Sequence, residues 1–276
     1  MNPHLAKPTS LVSIGRSLWI NRSIIYQVSR REIVGRYKGS VLGGLWSFIN
    51  PLMMLAVYTL VFSYILKAKW SGTQSDDPFD YPLLLLSGMI VHSFFAEVLL
   101  RAPSAIVANV SFVKKIVFPL EVLPVTVLAA AVFHFGISLF LFVGLFFITH
   151  GFVHWTSILL PIILLPLFFM AIGIAWFLAG LGVFLRDINQ PLSLLVTLLL
   201  FGSPVFYPVT ALPEDIRPFL MLNPLTFIID QVRAVVISGS LPNWWGVLIY
   251  FAAAVFLMWL GYAWFQKTRR GFSDVL

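Results

Sequence analysis

Apolar residues run almost unbroken through six stretches of the chain, near 47–66, 82–102, 122–148, 157–185, 191–209 and 244–265, and polar residues gather between them. At 1.5 Å per residue, each stretch is near the length needed to cross about 30 Å of hydrocarbon as a helix. The pattern predicts an all-α, polytopic membrane protein with six transmembrane helices. The third and fourth stretches are long enough to tilt or to project beyond the bilayer. The fifth is marginal, because Gly202, Ser203, Pro204 and Pro208 interrupt its end. The expected organisation is an N-terminal arm over 1–46, a six-helix membrane domain over 47–266 and a short tail over 267–276.

Three regions depart from plain spans. In the arm, Leu11, Ile14 and Leu18 recur at helical spacing, and Ile24 and Val28 continue the apolar positions among Arg16, Arg22, Arg30 and Arg31. That pattern predicts an amphipathic helix lying in the membrane interface. Gly39, Gly43 and Gly44 follow, where a surface helix must turn sharply into the first span. Gly39 and Gly43 also have the small-xxx-small spacing that permits close helix approach. The second region, 103–121, is too polar and broken to span. Asn109, Ser111, Lys114 and Lys115 form a wet face, and Pro119 and Pro124 punctuate the return to apolar sequence. It is either a solvated hairpin or a short helix that serves as a lever for another protein. In the third, Pro204, Pro208 and Pro213 break the fifth span, and Asn223-Pro224 precedes Leu225, Ile228, Ile229, Val232, Val235 and Val236 at helical spacing. Asp230 and Arg233 stand three apart on that helix. Two pieces of about 10–15 residues are too short to cross, so 209–240 predicts a re-entrant or interfacial pair before the last span. A gate and an amphipathic cap are both compatible with it.

Composition agrees with a bilayer rather than a large water-soluble core. Of 276 residues, 11% are charged, against about a quarter in soluble domains, and the mean hydropathy is +0.94. The absence of cysteine rules out disulfides and thiolate metal sites. Residues 1–46 lack the apolar h-region of a cleavable signal, so the first span is expected to act as the insertion signal. Basic residues set the orientation. The arm holds Lys7, Arg16, Arg22, Arg30, Arg31, Arg36 and Lys38. Arg101, Lys114, Lys115, Arg186, Lys267, Arg269 and Arg270 fall on the same side. Lys67, Lys69, Arg217 and Arg233 fall on the other, with Asp76, Asp77, Asp80, Glu214, Asp215 and Asp230. The positive-inside rule then places both termini in the cytoplasm. The net charge of +7 is a topology signal, and no basic patch interleaved with base-stacking aromatics indicates nucleic acid.

Candidate chemistry is sparse. Arg30, Arg31, Arg36 and Lys38 suit phosphate, because the guanidinium fork pairs phosphate bidentately. The target is either membrane lipid or a phosphorylated lipid substrate. Glu97 and Arg101, four apart, read as a local pair near the arm side of the second span. His92 and His134 read as hydrogen-bonded contacts within the bundle. His150 and His154 lack a third ligand, and Gly151 disfavours a helix between them. Many of the 26 Phe, 9 Trp and 8 Tyr fit an interfacial aromatic belt. Tyr58, Phe62, Phe201, Phe206 and Tyr207 fit it less well and are candidates to line a path, where ring faces grip sugars. No GxxxxGK[ST], HExxH or serine elbow occurs, so no catalytic residue, cofactor or metal is assigned to the chain. Energy for any active transport is expected from a separate subunit.

REIVGRYKGSVLGGLWSFINPL at 31–52 resembles the start of the membrane subunit of bacterial ABC exporters of polysaccharides and polyol phosphates, the class that moves O antigens, capsules and teichoic acids. KKIVFPLEVLP at 114–124, FLRDINQ at 184–190, SPVFYP at 203–208 and LNPLTFIID at 222–230 resemble later segments of the same family in the same order. The resemblance covers roughly 24–270 and implies a permease homodimer in the bacterial inner membrane, driven by two ATPase subunits that use ATP and Mg. It implies a substrate such as an O antigen on a polyprenyl diphosphate, whose headgroup would meet Arg30, Arg31, Arg36 and Lys38. The region Ala105–Phe118, with Asn109, Lys114 and Lys115, would dock on the ATPase. Arg186 and Asp187 would form a smaller contact. Helices around 212–237, with Asn223, Pro224, Asp230 and Arg233, would gate the exit. Other cargoes within this reading are teichoic acid, capsule, and a small lipid or drug. A membrane glycolipid-modifying enzyme is the alternative of a different class.

Overall fold

A computed structural model describes residues 9–66, 79–113 and 118–276. The arm is two helices, α1 (Leu11–Ile20) and α2 (Arg22–Tyr37), rather than one. The Ser10 hydroxyl caps α1 by accepting the Ser13 N–H at 3.2 Å. The break falls at Asn21, whose amide donates to the Ser17 carbonyl at 2.8 Å. Ile14 is buried while Val12 and Trp19 are exposed, so α1 is one-sided as its spacing requires. Beyond α2, Gly39 and Gly43 take φ of 87° and 50°, values that side chains with a Cβ rarely adopt. A Cβ on either would meet nothing within 4 Å. Their spacing therefore serves the turn and no close helix approach within this chain.

The first span starts in that turn. Its helix α3 (Trp46–Tyr58) carries Pro51 and widens into π-helical turns over Thr59–Ile65. There follow α4 (Asp80–Arg101), the short α5 (Ser104–Val107) and α6 (Val110–Val113), α7 (Val122–His150) and α8 (Leu160–Phe184). The chain continues through α9 (Asn189–Phe201), α10 (Arg217–Met221), α11 (Pro224–Val236), α12 (Trp244–Thr268) and α13 (Phe272–Val275). Among the described residues, 5 segments are long and apolar enough to cross a membrane: Gly43–Ile65, Asp80–Arg101, Val122–His150, Trp155–Phe184 and Trp244–Gly271. The expected fifth stretch differs. Its helix α9 has 13 residues, about 20 Å at the helical rise, and stops before Gly202-Ser203-Pro204. Hydropathy extends to 209, but the backbone leaves the helix at the glycine.

The tightest crossing joins α8 to α12. A Cβ on Gly261 would lie 1.9 Å from the Gly173 carbonyl oxygen, and one on Gly173 would lie 2.6 Å from the Met258 Cα. Backbones meet there because Gly173 and Gly261 carry no side chain, the means by which membrane helices gain dispersion contact without a hydrophobic driving force. Helix α4 is the most enclosed span. It runs antiparallel to α7: Asp80 meets His150 at 3.0 Å at one end, and Glu97 meets His134 at 3.4 Å toward the other. Gly151, at φ 78°, terminates α7 in a left-handed cap.

Candidate functional site

At the arm end of the bundle, α2 lies against α7 and closes a cavity of about 550 Å³ with α3 and α4. Arg36 reaches into it from the last turn of α2. One of its guanidinium nitrogens stands 2.8 Å from His134 Nδ1, and the other donates to the Glu97 carboxylate. Arg101 donates to Glu97 at 3.2 Å and also to Glu32 on α2. The Glu97–Arg101 pair expected from spacing is therefore half of a network that fastens the arm to two spans. Tyr37 joins it, edge-on to His134 at 5.9 Å and hydrogen-bonded to Ser47 on α3. His92 donates to the Val196 carbonyl at 3.1 Å, linking α4 to α9.

The other arm cations are deployed differently. Arg31 donates to Asn109 at 3.4 Å, and its guanidinium stands 5.4 Å from the centroid of the Phe112 ring. It thus bridges the arm to the α5–α6 segment. Arg30 and Lys38 are exposed. Asn109 also donates to the Ala105 carbonyl at 3.0 Å. Lys114 and Lys115 lie outside the described residues. Helix α5 seats on α8, where a Cβ on Gly182 would fall 2.2 Å from the Pro103 carbonyl oxygen. Arg186 and Asp187 occupy an exposed turn just after α8. Both expected partner contacts therefore sit at one end of α8.

The aromatic candidates come together. Tyr58 and Phe62 stand 6.3 Å apart, Phe62 and Phe206 6.5 Å, and Phe201 and Phe206 5.9 Å between ring centroids. Tyr207 donates to the Phe201 carbonyl at 2.6 Å. Sequence reasoning missed Tyr81, which stacks on Phe62 at 5.5 Å and donates to the Phe206 carbonyl at 2.9 Å. It lies at the start of a span, where a tyrosine reads as belt.

Below this ladder, Asn223 caps α11 by accepting the Leu225 N–H at 2.9 Å and donates to the Leu199 carbonyl at 3.1 Å. The Pro224 carbonyl accepts from Tyr250 at 2.6 Å. Arg233 is 7% exposed. It donates to Ser87 at 3.1 Å and to the carbonyls of Pro204, Leu84 and Val205 at 2.6, 2.9 and 3.2 Å. Arg233 holds α11, α4 and the turn after α9 in one arrangement, so any gating there involves breaking or carrying this clamp.

A further buried pair had no sequence signal. Arg269 Nη1 donates to Glu121 Oε2 at 2.8 Å, with side-chain exposures of 2% and 0%. Ser17 of α1 donates to the other Glu121 oxygen at 2.9 Å, and Trp176 of α8 donates to its carbonyl at 3.0 Å. Glu121 thus joins the arm, α8 and the C-terminal end of α12.

Comparison with known proteins adds an independent finding. The ABC-2 type transporter model matches residues 24–237. The chain is 27% identical over 266 residues to the O-antigen export system permease protein RfbA of Myxococcus xanthus, covering 96% of this chain and 99% of that protein. It is 26% identical to a protein of the same description from Klebsiella pneumoniae, covering 92% and 95%. It is 24% identical to the polysialic acid transport protein KpsM of Escherichia coli, covering 83% and 86%.

Proposed function

The chain belongs to the ABC-2 type transporter family, and from that premise we propose that it is the permease subunit of an ATP-driven exporter of polysaccharide, with an O antigen as cargo. It is a multi-pass protein of the bacterial inner membrane, and ATP hydrolysis belongs to a separate subunit. The observation that carries this reading is likeness along 96% of the chain to an O-antigen export permease. Likeness to the polysialic acid protein covers less of both chains, which favours O antigen over capsule. In this reading two copies form the channel, α9 with the turn after it completes a sixth crossing, and both termini face the cytoplasm.

The geometry supports the remaining roles in this reading. The basic arm meets the phosphate of a polyprenyl-diphosphate-linked glycan. Segment 103–121 and the Arg186–Asp187 turn dock on the ATPase, both supported by the end of α8. The ladder from Tyr58 to Phe201 offers ring faces to a moving sugar chain. Helices around 212–237 control the exit. Depletion of the protein tests this reading. Finished lipid-linked glycan is expected to accumulate on the cytoplasmic side while surface glycan falls. Unchanged surface glycan after complete depletion contradicts it.

A further inference from the structure

The cavity beneath α2 has two polar rungs. The first is Arg36, Glu97 and His134. The second comprises Asn50, Ser93 and Ser138, which also line the cavity. Ser93 precedes Glu97 by four residues and Ser138 follows His134 by four. On the antiparallel α4 and α7, both serines therefore stand one turn further from the arm. Ser93 is exposed between buried His92 and Phe94, which requires open space beside a helix that is otherwise enclosed. Among the described residues, none of the second-rung side chains makes a hydrogen bond. Polar groups without such a partner, on the wall of a cavity between membrane spans, favour a polar occupant.

The first rung contains an exchangeable anion. Glu97 accepts from Arg36 and from Arg101. When Arg36 leaves, Arg101 still pairs Glu97, so no carboxylate is stranded. Arg36 itself is 34% exposed and within reach of a ligand entering along the arm. A phosphate presents oxygens in the same forked geometry as a carboxylate and carries at least as much charge.

We propose that this cavity is a binding site for the phosphate–sugar junction of a lipid-linked glycan, in which phosphate replaces Glu97 on Arg36 and sugar hydroxyls meet Asn50, Ser93 and Ser138. The site rests on the export reading for its ligand class. Glu97 acts as a resident competitor: it holds Arg36 in place when the cavity is empty and weakens binding of the anion that displaces it. Release is thereby built into capture, since Glu97 reclaims Arg36 once the phosphate moves on.

The chain has no cysteine, so Met89→Cys places a single thiol on the cavity wall. The full chain, co-purified with its ATPase in phosphatidylcholine nanodiscs, is labelled with a maleimide in the presence of a polyprenyl diphospho-sugar. Protection is expected, with none from the matching polyprenol. Arg36→Ala should raise the half-protecting concentration at least tenfold, and Arg36→Lys by about threefold or less. Glu97→Gln should lower it severalfold, a direction that loss of a merely structural contact does not produce. If Arg36→Ala does not assemble, Arg36→Gln set against Arg36→Lys asks the same question. The proposal is overturned by protection that polyprenol matches, by a higher half-protecting concentration or no change in Glu97→Gln, or by no protection at all. Equal protection by phosphatidylglycerol at the same mole fraction overturns the substrate assignment and makes the cavity a site for bilayer lipid. Binding without export contradicts the export reading alone, and export without protection contradicts the site alone.

Discussion

Glu121 shows how much one residue can hold and how little of that its sequence context reveals. Its carboxylate is fully buried and shared between Arg269 and Ser17, 148 and 104 residues away. Pairing over such distances leaves no periodicity along the chain. Local pairs do, which is why Glu97–Arg101 was legible and the links from Arg36 to Glu97 and from Arg101 to Glu32 were not. The difference in burial sets the difference in energy. The arginine pairs around Glu97, whose side chains are 17–34% exposed, are partly screened and contribute about 1 kcal/mol each. Removing one member of the buried pair leaves an uncompensated charge, at a cost of about 3–5 kcal/mol. Glu121→Ala is therefore expected to lower the unfolding midpoint in detergent markedly. The double variant Glu121→Gln with Arg269→Met should recover most of the loss, because both charges are gone. A double variant as unstable as the single one indicates that packing, and not charge, fixes this junction.

Among the elements, the spans were legible wherever apolar length and helical backbone coincide, as in α4, α7, α8 and α12. They parted at α9, where apolar residues continue past Phe201 but Gly202, Ser203 and Pro204 end the helix. The arm's amphipathic spacing was legible, whereas its division at Asn21 was not, because asparagine occurs both within helices and at their ends. The support of 103–121 was hidden for another reason. It depends on Gly182, an unremarked glycine inside an apolar run, whose missing side chain admits the Pro103 carbonyl. Gly182→Ala gains about 1 kcal/mol of helix propensity but forces two backbones apart, which costs roughly 1–3 kcal/mol. It is expected to reduce the ATPase recovered with the purified permease severalfold. Gly144→Ala, where a Cβ meets nothing within 4 Å, is the matched control and should leave recovery unchanged. Equal recovery from the two variants contradicts the view that α8 carries the docking segment.

At the scale of the whole molecule, the arm, the cavity and the docking segment form one connected unit. Arg36 ties α2 to α4 and α7, Arg31 ties it to Asn109 and Phe112, and Gly182 seats the segment on α8. In the proposed reading, headgroup capture and ATPase docking are thereby joined through a single helix, while the aromatic ladder and the Arg233 clamp lie at the opposite end of the bundle. Composition and hydropathy were enough to place the protein in a membrane, and the short motifs were enough to suggest its family. The cavity was not legible, because it is lined by four helices whose contributing residues are scattered from 36 to 138. Reconstitution measures the central claim most directly. The permease and its ATPase are placed in proteoliposomes with lipid-linked glycan, and glycan reaching the far side is counted with and without ATP. The account predicts transfer that requires both subunits and ATP, leaves the glycan chemically unchanged and stops with a hydrolysis-deficient ATPase. Transfer or chemical modification of the glycan by the permease alone, at the same rate without ATP, contradicts it.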